Sequence, residues 1–260
     1  MVMETLMDSI SPFQFSLVYN AFSFTFATMA AATAFLWLCR SQVSPAYRTA
    51  VTISGLVTAI AAYHYLRIFE SWNAAYTLKD GVITATGFAF NDAYRYVDWL
   101  LTVPLLLIEL VLVMRLSPEQ TSSKTVRLGS AAALMIVLGY PGEIAVDIPT
   151  RALWGTLSSI PFVYIVWEFR GLGESIEQQP AAARDLVRKA RLLTFASWGF
   201  YPIVYMAPYA GISGATATTV IQLGYTIADI VAKAGVGILI YMISVRKSQV
   251  EAHGVAIHAH

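Results

Sequence analysis

The stretch GYTIADIVAKAGVGILIYMISV, residues 224–245, carries no charge except Asp229 and Lys233, which stand one helical turn apart. Its length suits a helix crossing a membrane, because ~30 Å of hydrocarbon at ~1.5 Å per residue takes roughly 20 residues. An ammonium at mid-bilayer depth costs at least ~2.5 to 3.5 kcal/mol on insertion scales, so an intramembrane lysine beside an aspartate points to function.

The rest of the chain has the same character. Of its 260 residues 57% are hydrophobic and only 13% charged, and the mean hydropathy is +0.60, far from the composition of a soluble domain. Further runs with little or no charge lie at Pro12 to Cys39, Thr49 to Leu66, Val97 to Met114, Leu128 to Gly142, Ala152 to Trp167 and Leu192 to Ala228, followed by Ile230 to Val245. With the long sixth run divided near Pro208 to Gly214, they predict an all-α bundle of seven transmembrane helices forming a single domain over residues 1–260. No soluble domain is expected.

Twelve of the seventeen Lys and Arg residues fall in alternate loops and the tail: Arg40, Arg48, Arg115, Lys124, Arg127, Arg170, Arg184, Arg188, Lys189, Arg191, Arg246 and Lys247. Basic residues mark the cytoplasmic side, which predicts an extracellular amino terminus and a cytoplasmic carboxyl terminus. Residues Met1 to Ser11 hold Glu4 and Asp8 but no basic n-region, so the first run is expected to remain as helix one. The net charge of +1 gives no reason to expect a nucleic-acid partner. Cys39 is the only cysteine, which excludes an intrachain disulfide and any multi-cysteine metal site. In the outer connection Asn73 to Asn91, Lys79-Asp80-Gly81 precedes an alternating β-branched and aromatic run, which predicts a short β-hairpin between helices 2 and 3. The inner stretch Gly171 to Arg184 reads as a mobile linker, and His253, His258 and His260 as a disordered tail rather than a metal site.

The third run reads RYVDWLLTVPLLLIE, residues 95–109. At ~100° per residue, Asp98 to Thr102 is about 40° round the helix and Asp98 to Glu109 about 20°, so the three share a face. The two carboxyls are then roughly 16 Å apart along the axis, Asp98 nearer the outside and Glu109 nearer the cytoplasm. One acid stands on each side of a group at mid-membrane.

Lys233 is the candidate for that group, since a desolvated lysine loses its proton readily and is then an amine able to form a Schiff base. The ordinary reading is a buried pair with Asp229 and nothing more, at the expense such pairs incur in lipid. Trp198, Tyr201 and Tyr205 repeat at three and four residues. That stripe is either plain core or, together with Trp99, the wall of a site for a long apolar ligand.

Three motifs taken together resemble the microbial rhodopsins over essentially all seven spans. They are Arg95-Tyr-x-Asp98-Trp99-Leu-x-Thr102-x-Pro-Leu-Leu106-Leu ending in Glu109, Trp198-x-x-Tyr201-Pro202, and Asp229-x-x-x-Lys233. The resemblance implies all-trans retinal bound covalently to Lys233 as a protonated Schiff base, in a pocket drawn from Trp99, Leu106, Met135, Gly139, Trp198, Tyr201, Pro202 and Tyr205. The column Asp98, Thr102, Glu109 is similar to that of outward proton pumps of the proteorhodopsin and xanthorhodopsin type. It implies Asp98 as counter-ion and proton acceptor, Asp229 as second counter-ion, and Glu109 as proton donor. Set among Leu and Val, Glu109 is suited to staying neutral until it gives up its proton. Chloride and sodium pumps carry other triplets.

Further residues follow from the same resemblance. His64, in Tyr63-His64-Tyr65, matches a histidine that pairs with the acceptor carboxylate; alone, a helical histidine reads as core. Arg95, one turn outside Asp98, either stabilises charge on the exit path or snorkels to the interface. No acid occurs from Leu192 to Ala228, whereas haloarchaeal pumps place glutamates around the connection between spans six and seven, so a release group there is not expected. Glu143 and Asp147 are alternatives for release, or simply exposed loop acids. Gly155 falls where many relatives carry a tryptophan; in xanthorhodopsin-like proteins a glycine there is associated with a carotenoid antenna, which for this chain implies a hydroxylated xanthophyll or ketocarotenoid, while close helix packing is the ordinary reading of the glycine. Leu106 is similar to the green-absorbing variant.

The expectation is therefore a multi-pass protein of a prokaryotic cell membrane that pumps protons outward under light. It is expected to sit in the lipid bilayer as a homo-oligomer, pentamer or trimer. A photosensory receptor and a chromophore-free seven-helix transporter are the alternatives. The sensor has no need of Glu109, and the transporter leaves Lys233 unexplained.

Overall fold

A computed structural model describes residues 10–145, 147–170, 173–212 and 214–258. Seven spans form an antiparallel bundle: α1 (Pro12–Cys39), α2 (Pro45–Ala75), α3 (Ala93–Met114), α4 (Pro118–Glu143), α5 (Ile148–Arg170), α7 (Ala181–Tyr205), and a seventh made of α8 (Gly214–Asp229), a π turn (Ile230–Gly235) and α9 (Val236–His258). A short helix, α6 (Gly173–Glu177), precedes α7. The end of the bundle holding Cys39, Met114 and Arg170 is called inner, after its excess of basic residues.

Ser-Pro pairs start three of the spans. Pro12, Pro45 and Pro118 stand in the first turn, where a missing N–H costs nothing, each after a serine. Ser11 and Ser117 accept from the backbone N–H of Gln14 and Gln120, and Gln14 closes a capping box on Ser11. At the inner end of α3, Arg115 takes the left-handed conformation (φ 56°) and donates its N–H to the Leu112 carbonyl. Four described helices are long and apolar enough to cross a membrane by composition alone: α1, α2, α3 and the seventh span. The other three are diluted by charge, as at Arg184, Asp185, Arg188, Lys189 and Arg191 in α7, and are recognised as spans by the bundle they complete.

The hairpin lies where the turn signal put it, but is shorter than the alternating run. β1 (Tyr76–Lys79) pairs antiparallel with β2 (Val82–Ala85), Lys79 opposite Val82. Asp80 and Gly81 both have positive φ (53° and 81°), as a two-residue primed turn requires. Beyond Ala85 the ladder stops: Thr86 donates its hydroxyl to the Ala74 carbonyl, Gly87 turns at φ 94°, and Phe90 dips into an aromatic cluster with Phe22, Trp72 and Tyr76. The hairpin thereby closes the outer end of α1 to α3.

Two inner segments are more ordered than expected. The stretch predicted to be a mobile linker forms α6 and then buries Gln179, whose Nε2 donates to the carbonyls of Met114 (3.1 Å) and Ser175 (2.8 Å). Outside the membrane, the Arg188 guanidinium 2.5 Å from Glu177 holds that carboxyl below its usual range. The tail continues α9 to His258, with His253 exposed on the helix, so those two histidines are not in a disordered segment; His260, like Glu4 and Asp8, lies outside the described residues.

Candidate functional site

Lys233 sits in the π turn, 1% exposed, with its ammonium enclosed by two carboxylates. Nζ donates to Asp98 Oδ2, across the bundle on α3, and stands 3.1 Å from Asp229 Oδ2, one turn back on its own span. Three buried charges in one place are tolerable only as a mutually satisfied set, because removing one member of a buried pair costs ~3–5 kcal/mol.

The two carboxylates are not equivalent. Asp229 receives Trp99 Nε1 at 3.0 Å and the Tyr201 hydroxyl at 2.5 Å on Oδ1, and the Tyr65 hydroxyl at 2.8 Å on Oδ2. Its donors come from α2, α3 and α7, so both oxygens are occupied. Asp98 holds Lys233 on Oδ2, while its Oδ1 is buried and has no hydrogen-bond partner among the described residues. His64 is buried as predicted, and its Nδ1 lies 3.9 Å from that free oxygen, in ionic range but outside hydrogen-bond reach. The same nitrogen is 2.9 Å from the Ile60 carbonyl, which assigns it as the donor. Thr102 shares the face with Asp98, but its hydroxyl donates to the Asp98 backbone carbonyl at 2.8 Å rather than to the carboxylate.

Glu109 lies on the same face toward the inner end. It is fully buried, and among the described residues neither carboxyl oxygen has a hydrogen-bond partner. On the outer side Arg95 is 2% exposed, not snorkelling: its guanidinium donates to Gln222 Oε1 at 2.7 Å and lies within 6.0 Å of the ring centres of Phe22, Tyr65 and Tyr225. Gln222 Nε2 in turn lies 3.5 Å from Asp92 Oδ2 at the start of α3.

A cavity of about 380 Å³ opens beside Lys233. All ten residues expected to hold cofactors line it: Lys233, Trp99, Leu106, Met135, Gly139, Gly155, Trp198, Tyr201, Pro202 and Tyr205. The lining is mostly aromatic and aliphatic, and the one amine stands in its wall. A slot of this kind fits a long apolar aldehyde: the walls exclude water, and the amine can condense with the aldehyde carbon, releasing water. Close approach of helices shapes it. A Cβ on Gly142 would stand 2.3 Å from the Tyr205 hydroxyl, and one on Gly155 3.0 Å from Tyr205 Cε1. Ala152, Thr156 and Ser159, on the same face as Gly155, line the cavity and are exposed, so it opens sideways between helices toward lipid.

Sequence reasoning missed several members. Tyr65 neighbours the histidine already singled out, and Gln222 lies seven residues before Asp229, on its face; either spacing would have served as a signal. Glu143, which the sequence left as either a release group or an exposed loop acid, is largely buried at the outer end of α4. Its Oε2 accepts from Arg151 at 3.1 Å, with the hydroxyls of Tyr225 and Tyr96 at 3.4 and 3.5 Å. Arg151 also donates to the Tyr205 carbonyl and has its guanidinium carbon 4.0 Å from the Tyr205 ring centre. Nothing in the sequence pairs residues eight apart across a loop. Asp147, left with the same two readings, is exposed, and the Thr150 backbone N–H it accepts holds its carboxyl below the usual range.

Fold and site together define a seven-helix membrane protein built around a buried amine at the end of an apolar slot. The bacteriorhodopsin-like protein family matches residues 17–246. The green-light absorbing proteorhodopsin of Gamma-proteobacterium EBAC31A08 is 31% identical over 237 residues, 88% of each chain. Among solved structures, that of xanthorhodopsin, a light-driven ion pump with dual chromophore, superposes with a TM-score of 0.90 at 52% identity, covering 94% of this chain and 98% of that one. A thermophilic rhodopsin gives 0.90 at 45% identity, covering 94% and 99%. The chain belongs to the bacteriorhodopsin-like family and is a microbial rhodopsin of the proteorhodopsin and xanthorhodopsin kind.

Proposed function

We propose that this rhodopsin is a light-driven outward proton pump, a transporter rather than an enzyme. The observation that carries the reading is the placement of Lys233: its nitrogen touches Asp98 and Asp229 on one side, while Glu109 stands alone on the same α3 face toward the inner end. Retinal, bound to that nitrogen as a protonated Schiff base, supplies light absorption and a change of shape that alters the nitrogen's surroundings. All other parts of the cycle belong to the chain.

Asp98 is the acceptor of the proton held at the Lys233 nitrogen, because its Oδ1 is the unoccupied carboxylate oxygen there. Asp229, filled by Tyr65, Trp99 and Tyr201, is the fixed counter-ion. His64, beside the free oxygen, steadies charge on Asp98. Arg95, held by Gln222, leads charge outward toward Asp92. Glu109, buried and without a hydrogen-bond partner among the described residues, supplies the replacement proton from the inner side. Direction comes from this asymmetry between an acceptor in a polar cluster and a donor in an apolar one.

Illuminating cells in weakly buffered suspension tests the proposal. Outward pumping acidifies the medium, and a protonophore abolishes the signal. A bleachable visible band with no light-dependent pH change would instead favour the photosensory reading.

The side opening at Gly155 supports a second pigment, a hydroxylated carotenoid lying against the exposed face of Ala152, Thr156 and Ser159 with its end ring at the cavity mouth. Added carotenoid should then appear in the excitation spectrum of the retinal band. Gly155→Trp places an indole in the opening against Tyr205 and is expected to abolish that transfer; transfer that survives the substitution rejects the site.

A further inference from the structure

The inner mouth of the bundle is closed by a contact that the pump reading does not use. Lys247 on α9 is 4% exposed, yet among the described residues no carboxylate lies within ion-pair distance of it. Its Nζ donates instead to two neutral oxygens, the Val113 carbonyl at 2.8 Å and Gln179 Oε1 at 2.7 Å. The amide of Gln179 completes the arrangement by donating to the Met114 carbonyl at 3.1 Å. The last carbonyls of α3, which its own helix leaves without partners, are thus satisfied by side chains from the seventh span and from the segment leading into α7. Around them Tyr47 donates to Glu251, the Arg115 guanidinium carbon lies 5.6 Å from the Tyr47 ring centre, and Lys247 Nζ 5.2 Å from it.

Position gives this cluster its meaning. Val113 is one turn beyond Glu109 on α3, about 6 Å further inward at 1.5 Å per residue. The side chains of Lys247 and Gln179 therefore lie between the buried Glu109 carboxyl and the inner solution, and they join α3 and α9 to the segment leading into α7, so that their separation would admit water. We propose that Lys247 and Gln179 form a latch across the inner mouth that controls proton uptake by Glu109. They are positioning residues: neither reaches the Lys233 nitrogen. The bonds are to neutral oxygens, so they are strong enough to exclude water at rest and weak enough to break in each cycle; a full ion pair would hold the mouth shut more firmly.

The inference rests on Glu109 being the inner donor, and the experiment separates the two. Gln179→Ala, Lys247→Met and the double variant are compared in the retinal-bound protein in nanodiscs. Proton uptake is followed by flash photolysis with a pH-indicator dye, and amide hydrogen exchange over residues 110–116 and 179–186 is followed in the dark. Each single variant is expected to speed uptake by about tenfold, the scale of one hydrogen bond to a charged group. Exchange at both segments should rise, and the early transfer to Asp98 should keep its rate. Because the two side chains share one hydrogen bond, the double variant should fall short of the product of the two single effects. Uptake that is unchanged or slower, or effects that multiply in the double variant, would overturn the latch. If Gln179→Ala does not take up colour, Gln179→Asn stays polar but loses reach, and it must also speed uptake. Glu109→Gln run alongside reports on the donor itself: if its reprotonation is normal the donor reading fails, while the dark exchange still reports on the latch.

Discussion

Lys233→Ala yields a protein with no visible absorption band under conditions in which the parent chain is coloured. The cavity has one amine in its wall, and a methyl group there has neither the nucleophile nor the charge. The same change leaves Asp98 and Asp229 buried together without their shared cation, which costs ~3–5 kcal/mol by the usual penalty for breaking a buried pair. Loss of colour through misfolding is therefore the competing explanation. Lys233→Arg distinguishes them, since a guanidinium keeps the positive charge and cannot form the imine. It should be folded by circular dichroism and still colourless. A visible band in either variant would place the attachment elsewhere.

Glu109→Gln has the second largest expected effect. The side chain keeps its shape, so the buried volume is preserved, but the amide has no acidic proton to give. General acid catalysis by a positioned side chain contributes about 10²–10⁴-fold, and recovery of the proton at the Lys233 nitrogen should slow by that order. Flash photolysis reads it directly, and steady illumination should show pumping reduced in proportion. A decay as fast as the parent's would remove Glu109 as donor. The first transfer, between Lys233 and Asp98, takes place at the other end of the column and should keep its rate.

Much of this site was legible because a helix repeats itself. Asp98, Thr102 and Glu109 share a face by arithmetic alone, as do Trp198, Tyr201 and Tyr205, and a lysine in an apolar run advertises its own cost. The hairpin was legible because Asp-Gly has few other uses between two strands. What the sequence could not carry was the difference between Asp98 and Asp229. One turn separates Asp229 from Lys233, yet it is the saturated carboxylate only because Tyr65, Trp99 and Tyr201 arrive from three other helices. The burial of Glu143 against Arg151 escaped for the same reason. Helix ends were also underestimated: α2 runs from Pro45 to Ala75, whereas its uncharged run covers Thr49 to Leu66. Apolar runs report the hydrocarbon layer, and helices continue past it, since their backbone bonds are as good in the headgroup region as within.

The π turn at Ile230–Gly235 also sets a phase. A ring closed five residues on, rather than four, holds one residue more than the helix on either side. Each residue of an α-helix advances it by ~100°, so taking that residue out would rotate all of α9 by about a quarter turn relative to α8. Val236, Ile240, Ile243, Ser244 and Lys247, now turned inward, would swing toward lipid or a neighbouring helix, with the Asp229 side of the span unmoved. The surplus residue thus works as a coupling between two separately indexed rods: one aligned to the amine, the other to the mouth through which its next proton comes.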